Sequence, residues 1–446
     1  MIFLRILFIL LDTAILLAIP GACLFIGASG FSVVAVTVAV PLLFVPFTAL
    51  NVFPGIYRLR SLRPTVLAGG ADLLTAFLLG FYAETAFGIY RAAAGLFRPE
   101  ADVPYIILAL ITCFIYLWNG VIRVIVTSTR LGVVLKVLAA VFCMIPVVHI
   151  PFLLVLIISA NGECAYEARY IAHEKELAAS RVCATKYPIL LVHGVFFRDS
   201  SVLNYWGRVP AALTRCGAVI RYGNQQSALS VRESAAELAE RIEDVVKELG
   251  CEKVNIIAHS KGGLDARYAV SRLGSDKYVA SLTTINTPHR GCIFVESIYN
   301  KFSAEARERM AKMYNAAARR VGDTEPDFLA AVADLRESAC SALNAETPDS
   351  PDVYYQSIGT SAKYAYNGRF PLNVSLPFVR RTDGENDGLV SLASMAWGAD
   401  FRVFRVNGRR GITHADMIDL NRENIPDFNV RSFYIDLVSD LRLKGF

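Results

Sequence analysis

The sequence is poor in charge. Its 446 residues hold 45 Lys and Arg against 40 Asp and Glu, so the net charge is only +5. We find no basic patch with interleaved aromatic residues, and a nucleic-acid partner is therefore not expected. The cysteines of the C-terminal half follow no metal-binding spacing, which leaves disulfides or buried thiols as their alternative states. Histidine is also scarce, with six residues in the whole chain.

The apolar residues are concentrated in the N-terminal part of the chain. Hydrophobic residues make up 54% of the sequence, and the mean hydropathy is +0.41. Five segments within residues 1–160 are long enough to cross a bilayer, which takes about 20 apolar residues each. They are Ile6–Ile26, Phe31–Phe53, Val66–Tyr90, Val103–Val126 and Val133–Ile158. We therefore predict an all-α transmembrane bundle of about five helices at 1–160, a juxtamembrane connector at 161–186 and a globular domain at 187–446.

Loop charges predict the orientation of these spans. The loop after the second span carries Arg58, Arg60 and Arg63 without an acid, and the loop after the fourth carries Arg130. Loops rich in Lys and Arg face the cytoplasm. With five spans, the globular domain is then extracytoplasmic. We expect an integral protein of the plasma membrane, in a bacterium.

Three acidic residues, Asp12, Asp72 and Glu84, fall inside the predicted spans. Ionisable groups at membrane depth are costly, and they either serve a function or are paired inside the bundle. We favour pairing, with Arg123 or Lys136 as the partner.

The globular part alternates short apolar runs with helical patterns. The predicted strands are Tyr187–Val192, Ala218–Tyr222, the run from Val254, Val279–Ile285 and Val353–Gly359. Such alternation is typical of parallel βαβ units. Ser230 and Glu233 form a capping-box pattern that predicts a helix reaching about Leu249. Residues 292–350 interrupt the alternation with helical stretches, which form either a lid or additional packing helices.

The segment Val254–Val270 carries the strongest chemical signal, with the sequence VNIIAHSKGGLDARYAV. A serine on a tight turn between a buried strand and a helix is the nucleophile elbow of the α/β-hydrolases. Ser260 has this position. The common pattern has glycine two residues before the serine, where this chain has Ala258, and alanine is nearly as small.

A serine nucleophile needs a base, and the base needs an orienting acid. The six histidines are His149, His173, His193, His259, His289 and His414. His414 alone follows the late acidic cluster, so that the order serine, acid, histidine of these hydrolases is kept. The acid is Asp383, Glu385 or Asp387, and we favour Asp387 because it directly precedes Gly-Leu-Val.

An oxyanion hole is predicted from two backbone amides. The strand at Tyr187–Val192 ends in His-Gly, so the N–H of the next residue, Val195, is one donor. The N–H of Lys261, directly after the serine, is the other. Phe196 and His259 flank these groups and are expected to contact the substrate.

The globular part resembles the bacterial true lipases, the triacylglycerol lipases of the α/β-hydrolase superfamily. The resemblance covers about residues 185–446 and rests on YPILLVHG, VNIIAHSKGGLDARY, ASLTTINTPHRG, ENDGLV and THADMIDL, in this order. It implies Ser260 as nucleophile, Asp387 as acid, His414 as base, and Val195 and Lys261 as oxyanion donors. It says nothing about residues 1–160, which the secreted lipases lack.

The resemblance also raises the question of calcium. Some members of the family bind a structural calcium, with an aspartate two residues after the catalytic histidine as a ligand, and Asp416 has that position. The partner carboxylate is expected near Asn367, where the sequence has no acid. The alternative role for Asp416 is that of an acid at a helix N-terminus. No cofactor is required for the predicted chemistry.

These features predict a membrane-anchored serine ester hydrolase, a lipase or esterase, that cleaves lipid or other apolar acyl esters through an acyl-enzyme. One alternative is an acyltransferase that uses the same three residues on a lipid or cell-wall acceptor. The other is a membrane sensor whose hydrolase-like domain only binds a ligand. The expected partners are the substrate and the bilayer, and the sequence leaves the oligomeric state open.

Overall fold

The computed structural model describes residues 2–29, 33–195, 204–320, 322–365, 369–398, 400–408, 410–425 and 427–446. For residues 2, 23, 26–29, 33–40, 298 and 300 it describes the backbone alone. The chain divides into two compact units, Met1–His173 and Glu174–Phe446.

The first unit is helical. Its elements are α1 (Ile2–Ser29), α2 (Val33–Val52), α3 (Leu62–Ala93), α4 (Pro99–Thr127), α5 (Val133–Phe142) and α6 (His149–Ala179), the last of which runs on into the second unit. Within the described residues, four helices are long and apolar enough to cross a membrane, namely α1, α3, α4 and α6. In α2, the part with described side chains is the shorter apolar segment Pro41–Val52. The four helices contain or overlap the first, third, fourth and fifth predicted spans.

The prediction of one continuous fifth span at Val133–Ile158 was wrong. The structure has two helices there, with turns at residues 143–148 between the end of α5 and the start of α6. Pro146 lies in this break, and proline disfavours helical geometry in the residue before it and lacks an amide donor. The long helix is α6, which extends through most of the predicted connector to Ala179.

Asp12 and Asp72 are buried inside the helical unit and Glu84 is half-buried, and for Asp72 the predicted partner was wrong. The Asp72 carboxylate accepts a hydrogen bond from Arg5 Nε at 2.7 Å. Arg123 instead binds backbone carbonyl groups, including that of Phe53 at 2.7 Å. Lys136 donates to the carbonyl of Ser128 at 2.8 Å. The cation that neutralises Asp72 thus comes from α1, near the start of the chain.

The second unit is built on a six-stranded, fully parallel sheet. Its strands are β1 (Ile189–Val192), β2 (Ile220–Tyr222), β3 (Val254–His259), β4 (Val279–Ile285), β5 (Tyr354–Thr360) and β6 (Asp400–Phe404). Their spatial order is β2-β1-β3-β4-β5-β6. The order reverses between β1 and β3, and such a switch point at the carboxyl ends of parallel strands is where open α/β sheets bind ligands.

Alternate residues of the central strands face two separate cores. Ile189 and Leu191 of β1 pack in one core with Trp206 and Tyr434. Leu190 and Val192 pack in the other with Leu238, as the period of two along a strand requires. Burial on both faces explains why β1, β3 and β4 are continuous apolar runs.

Helices cover both faces of this sheet. They are α7 (Val209–Arg215), α8 (Val231–Leu249), α9 (Lys261–Arg272) and, at the C-terminal end, α16 (Val430–Leu443). The predicted capping box is confirmed, because the Ser230 side chain accepts from the Glu233 amide and the Glu233 side chain accepts from the Ser230 amide. The helix ends at Gly250, which has a φ of 59°, a left-handed conformation that glycine adopts without strain.

The remaining helices lie in the segments that follow β4 and β5. They are α10 (Ile293–Lys301), α11 (Ala304–Arg320), α12 (Phe328–Ala333), α13 (Glu337–Glu346), α14 (Leu372–Asp383) and α15 (Leu392–Met395). The α12–α13 region packs on the core elements, where Asp334 accepts from the Val231 amide at 2.7 Å and Asn344 from Arg267 at 2.8 Å. This part of the insertion consists of packing helices. Neither β6 nor α14 was predicted from the sequence.

Candidate active site

Ser260 lies on a strained turn between β3 and α9. Its φ is 57° and its ψ is −134°, a conformation that costs about 1–3 kcal/mol for a residue with a side chain. The turn is held by the Ser260 amide, which donates to the carbonyl of Ile285 at 3.0 Å, and by the Gly263 amide, which donates to the Ser260 carbonyl at 3.0 Å. These are the features of a nucleophile elbow.

The two glycines after Ser260 are required by close packing. A Cβ atom at Gly262 would lie 2.3 Å from the carbonyl oxygen of His193, and one at Gly263 would lie 2.2 Å from Oγ1 of Thr287. Both distances are too short for any side chain. The start of α9 can therefore approach the ends of β1 and β4 only if these positions lack a side chain.

His414 and Asp387 form a hydrogen-bonded pair. Nδ1 of His414 lies 2.6 Å from Oδ2 of Asp387, and since a carboxylate only accepts, the ring nitrogen is the donor. The Asp387 carboxylate is fully buried. Its Oδ1 accepts from the amides of Leu389 and Val390 at 2.9 and 2.8 Å. With Nδ1 bound in this way, Nε2 of His414 is the nitrogen left to accept a proton.

The three acids that the sequence left open have different partners. Glu385 is bound by Arg405 through two hydrogen bonds of 2.9 Å, and these lower the pKa of Glu385 to about 2. Asp383 accepts from the amide of Phe294 at 3.5 Å, and burial raises its pKa. Asp387 is the acid whose carboxylate meets His414.

Sequence reasoning missed Asn286. Its side-chain amide donates to Oδ2 of Asp387 at 2.8 Å and to the hydroxyl of Thr360 at 2.7 Å. Asn286 directly follows β4, next to the elbow, and has a φ of 49°. The available signal was the asparagine directly after β4, at the edge of the sheet where the strands end. Asparagine tolerates the left-handed conformation that this position adopts.

The two predicted oxyanion donors lie at adjacent strand ends. Val195 follows β1 and lines the same cavity as Ser260. Lys261 is the first residue of α9, so its amide has no partner within the helix. The Lys261 side chain is buried, and its Nζ donates to Asp265 at 2.8 Å and to Ser234 at 2.9 Å. Lys261 can thus meet a ligand through its backbone.

His259 is held as a neutral ring beneath the site. Tyr205 accepts a hydrogen bond from the Gly194 amide at 3.0 Å, and its hydroxyl lies 2.8 Å from Nδ1 of His259. Burial, together with the nearby His414, holds the pKa of His259 well below its usual value. The rings of His259 and His414 are 4.4 Å apart. His259 therefore packs against the ring of His414 and also lines the cavity.

Two more residues of the loop after β1 were considered in the sequence, and the structure describes one of them. His193 is fully buried, and its carbonyl accepts from Gln225 at 3.0 Å, so it helps to hold the loop after β1. Phe196, which was expected to contact the substrate, lies outside the described residues.

A large cavity of about 1260 Å³ opens at Ser260 and His414. Its walls are mainly apolar and include the side chains of Phe294, Leu372, Leu389 and Ile418. This volume lies above the usual range of roughly 300–1000 Å³ for small-molecule sites. The cavity is therefore large enough for an extended apolar ligand beside the serine.

Two helices form the outer wall of this cavity. Within residues 292–350, the described part that lines it is α10, through Phe294, Ser297 and Lys301. The opposite part comes from α14 and the residues before it, 369–382. Of the described part of the insertion, α10 therefore borders the cavity, together with α14, a helix that was not predicted from the sequence; a lid stays a prediction.

The residues around Asp416 do not fit a calcium ion. Both carboxylate oxygens of Asp416 are bound by Arg410, at 2.8 and 2.9 Å. Arg410 also binds Glu423 at 2.6 Å, and Arg208 binds the nearby Asp419 at 2.7 Å. Among the described residues, no three His, Cys, Asp or Glu side chains group in a way that would hold a metal ion. The Asp416 carboxylate is thus bound by a guanidinium group on both oxygens and is not left open to a metal ion.

Asp416 supports the catalytic loop instead. Its Oδ2 accepts from the amide and the hydroxyl of Thr413, both at 2.7 Å. This closes a capping box around the short helical turn that begins at His414. Arg410 and Asp416 together therefore fix the turn that carries His414.

Comparisons with known proteins agree with this architecture. Residues 187–388 match the family model described as alpha/beta hydrolase fold. A triacylglycerol lipase of Burkholderia plantarii is 30% identical over 184 residues, which cover 39% of this chain and 51% of that protein. Triacylglycerol lipase 2 of Saccharomyces cerevisiae is 27% identical over 262 residues, which cover 55% of this chain and 75% of that protein. The chain thus spans about half the length of the Burkholderia relative.

Solved structures of low sequence identity also match. The mature form of the lipase BlEst2 from Bacillus licheniformis is 19% identical, with a TM-score of 0.43, and the match covers 57% of this chain and 92% of that one. The parallel sheet, the elbow at Ser260 and the family match together confirm the predicted fold class. The second unit therefore has the α/β-hydrolase fold, and residues 187–388 are the part of it that the family model matches.

Proposed function

We propose that this chain is a serine hydrolase that cleaves acyl esters of lipids, with Ser260 as nucleophile, His414 as base and Asp387 as the orienting acid. The observation that carries the proposal is the arrangement of these groups. Ser260 and the Asp387-bound His414 line one large, mainly apolar cavity. A strained serine, a histidine oriented through Nδ1 and an apolar binding site are the parts that ester hydrolysis requires.

The proposed reaction has two halves. Nε2 of His414 takes the hydroxyl proton as Oγ of Ser260 attacks the ester carbonyl, and the oxyanion that forms is bound by the amides of Val195 and Lys261. His414 then protonates the departing alcohol as the ester C–O bond breaks, which leaves an acyl-enzyme. In the second half, His414 activates a water molecule that releases the acid and restores Ser260.

The names of the relatives support the class of substrate. Two proteins that match this chain are called triacylglycerol lipases. Carboxylic ester hydrolysis on an apolar acyl group is consistent with those names and with a cavity wall that contains Phe294, Leu372 and Phe378. Which lipid ester is cleaved is left to experiment.

The helices of the first unit support a membrane location. Four helices in the described part of the chain could cross a bilayer. A hydrolase tethered in this way meets lipid esters at the membrane rather than in free solution, which raises the local substrate concentration. The extracytoplasmic side was predicted from the loop charges together with five spans. With four spans and a cytoplasmic N-terminus, the domain would lie on the cytoplasmic side instead, so the side of the membrane is a separate question for experiment.

A substrate panel tests this proposal. The full chain, purified in a non-ionic detergent, is assayed on esters that range from short soluble ones to long-chain triglycerides and phospholipids. We expect hydrolysis that the Ser260→Ala substitution abolishes and that the Ser297→Ala substitution, at a second serine lining the cavity, leaves nearly unchanged. Equal activity of the wild type and the Ser260→Ala variant on every ester would refute the proposal.

A further inference from the structure

The charges around the cavity are all positive. Three basic side chains line it, namely Lys301 at the end of α10, Arg369 before α14 and Arg381 near the end of α14. Among the described residues that line the cavity, none carries a carboxylate. A one-sided charge distribution of this kind favours a ligand of the opposite sign.

Two of these three cations are not neutralised within the described part of the chain. Arg369 forms an ion pair with Glu423. Lys301 and Arg381 are exposed and make no ion pair with a described residue. They therefore carry two uncompensated positive charges at the cavity.

Exposed large apolar side chains also line the cavity at α14, two of them on the helix and one, Phe370, just before it. Phe370, Val374 and Phe378 line the cavity, yet they are 83%, 53% and 58% exposed. Arg381 follows Phe378 by three residues, so it lies on the same helix face. The cavity wall is thus apolar along α14 and becomes cationic at Arg381.

We propose that the substrate is an amphiphile with an anionic headgroup, such as a lipid ester that carries an uncompensated phosphate, and that Lys301 and Arg381 bind this headgroup. The inference rests on the proposed function and names its substrate class. The acyl chain lies along the apolar wall, and the ester carbonyl reaches Ser260. Ammonium and guanidinium groups both bind phosphate oxygens, and the guanidinium can do so through two parallel hydrogen bonds.

The test compares matched substrates that differ in headgroup charge. The full chain is placed in nanodiscs of ether-linked phosphatidylcholine, which contains no cleavable acyl ester. Dihexanoyl phosphatidylglycerol, dihexanoyl phosphatidylcholine and dihexanoylglycerol are supplied below their critical micelle concentrations. The variants are Lys301→Gln and Arg381→Gln, with Lys312→Gln and Arg320→Gln on α11 as controls, since these are exposed and do not line the cavity.

We expect each cavity variant to lower kcat/KM on the phosphatidylglycerol by roughly threefold to tenfold, the range for a single exposed charge contact. The values on the zwitterionic and neutral esters stay the same, and so do all values for the two α11 controls. The preference for the anionic ester should also shrink between low salt and roughly 0.5 M salt because exposed charges are screened. An equal loss on all three esters, or no loss on any, would overturn the inference.

A binding measurement keeps this test separate from the catalytic proposal. The Ser260→Ala variant is titrated with dihexanoyl phosphatidylglycerol and, separately, with inorganic phosphate. We expect the lipid to bind, Lys301→Gln and Arg381→Gln to weaken its binding, and millimolar phosphate not to compete with it. If no ester is hydrolysed but the lipid still binds in this charge-dependent way, the proposed function fails and the binding inference stands. Binding that ignores both substitutions would refute the inference whatever the activity.

Discussion

Replacing Arg410 with methionine removes the guanidinium group that binds Asp416, the residue considered above as a calcium ligand. The substitution deletes two hydrogen bonds to Asp416, of 2.8 and 2.9 Å, and one of 2.6 Å to Glu423. The side chains of both acids are nearly inaccessible, with 3% and 8% of their surface exposed. Methionine fills much of the space but leaves the buried Asp416 carboxylate without its cation, whereas Glu423 keeps its ion pair with Arg369.

The expected cost follows from this burial. Removing one partner of a buried ion pair costs about 3–5 kcal/mol because the remaining charge is desolvated and unpaired. The matched control is Arg405→Met, which breaks a bidentate pair with Glu385 whose side chains are 52% and 45% exposed. Exposed pairs contribute about 0–1 kcal/mol. For a domain of this size, 1 kcal/mol shifts the Tm by about 2–4 °C, so we expect a drop of about 6–20 °C for Arg410→Met.

The assay follows the hydrolase domain by tryptophan fluorescence. In a Trp118→Phe background, the remaining tryptophans, Trp206 and Trp397, both lie in the second unit. We expect the Tm of the parent protein to be the same in EDTA and in excess calcium. Equal and small Tm shifts for Arg410→Met and Arg405→Met would refute the assigned role of Arg410. A clear rise of the Tm with calcium would refute it as well, since a ligand that binds the folded state stabilises it.

Three further substitutions test the site and its surroundings. Asp387→Asn should lower kcat on a short ester by a factor of about 10³–10⁴. Glu385→Gln should change kcat less than roughly threefold, because the Glu385–Arg405 contact is exposed. Equal losses would contradict the assignment of Asp387 as the acid. Gly262→Ala should cost about 1–3 kcal/mol in thermal unfolding through overpacking, and Gly408→Ala, where a Cβ meets nothing within 4 Å, should be neutral. Arg405 lowers the pKa of Glu385 to about 2, so the contribution of the Glu385 carboxylate to stability is full above the unfolded pKa of 4.5 and is lost as the pH falls towards 2. The Tm difference between the parent protein and Glu385→Gln should therefore shrink over this range. A constant difference would contradict the reasoning.

The candidate site was easiest to predict where its residues follow one another along the chain. The apolar run of β3, Ser260 and the two glycines after it are contiguous, so their pattern predicts strand, turn and helix without tertiary information. The order of Ser260, Asp387 and His414 along the chain then left few choices of base and acid. The resemblance to lipases, drawn from such short motifs, agrees with the family match at residues 187–388.

The features that were missed depend on contacts between distant segments. The bond from Asn286 to Asp387 joins residues 101 positions apart, and the asparagine at the end of β4 does not by itself identify its partner. Strand β6 is only partly buried along all five residues, so it lacks the buried apolar run that marked β1 and β3. Arg410 could not be distinguished from any surface arginine, because its partners become apparent only when the loop after His414 is folded.

The membrane part shows the limits of counting apolar residues. The window at Val133–Ile158 is apolar apart from Lys136 and His149, yet its helix is interrupted around Pro146. Proline alone did not signal the break, since α1 continues through Pro20 and α2 through Pro41 and Pro46. Whether proline ends a helix depends on the packing around it, which composition does not reveal.

The most direct test of the central claim is covalent labelling of Ser260. The full chain in non-ionic detergent is treated with a fluorophosphonate probe, and the modified peptide is identified by mass spectrometry. The account predicts a single adduct on Ser260 that forms at least roughly 10³ times more slowly in the His414→Ala variant, because the serine then lacks its base. An unlabelled Ser260, or an adduct that forms equally fast without His414, would contradict the claim that these residues form a catalytic site.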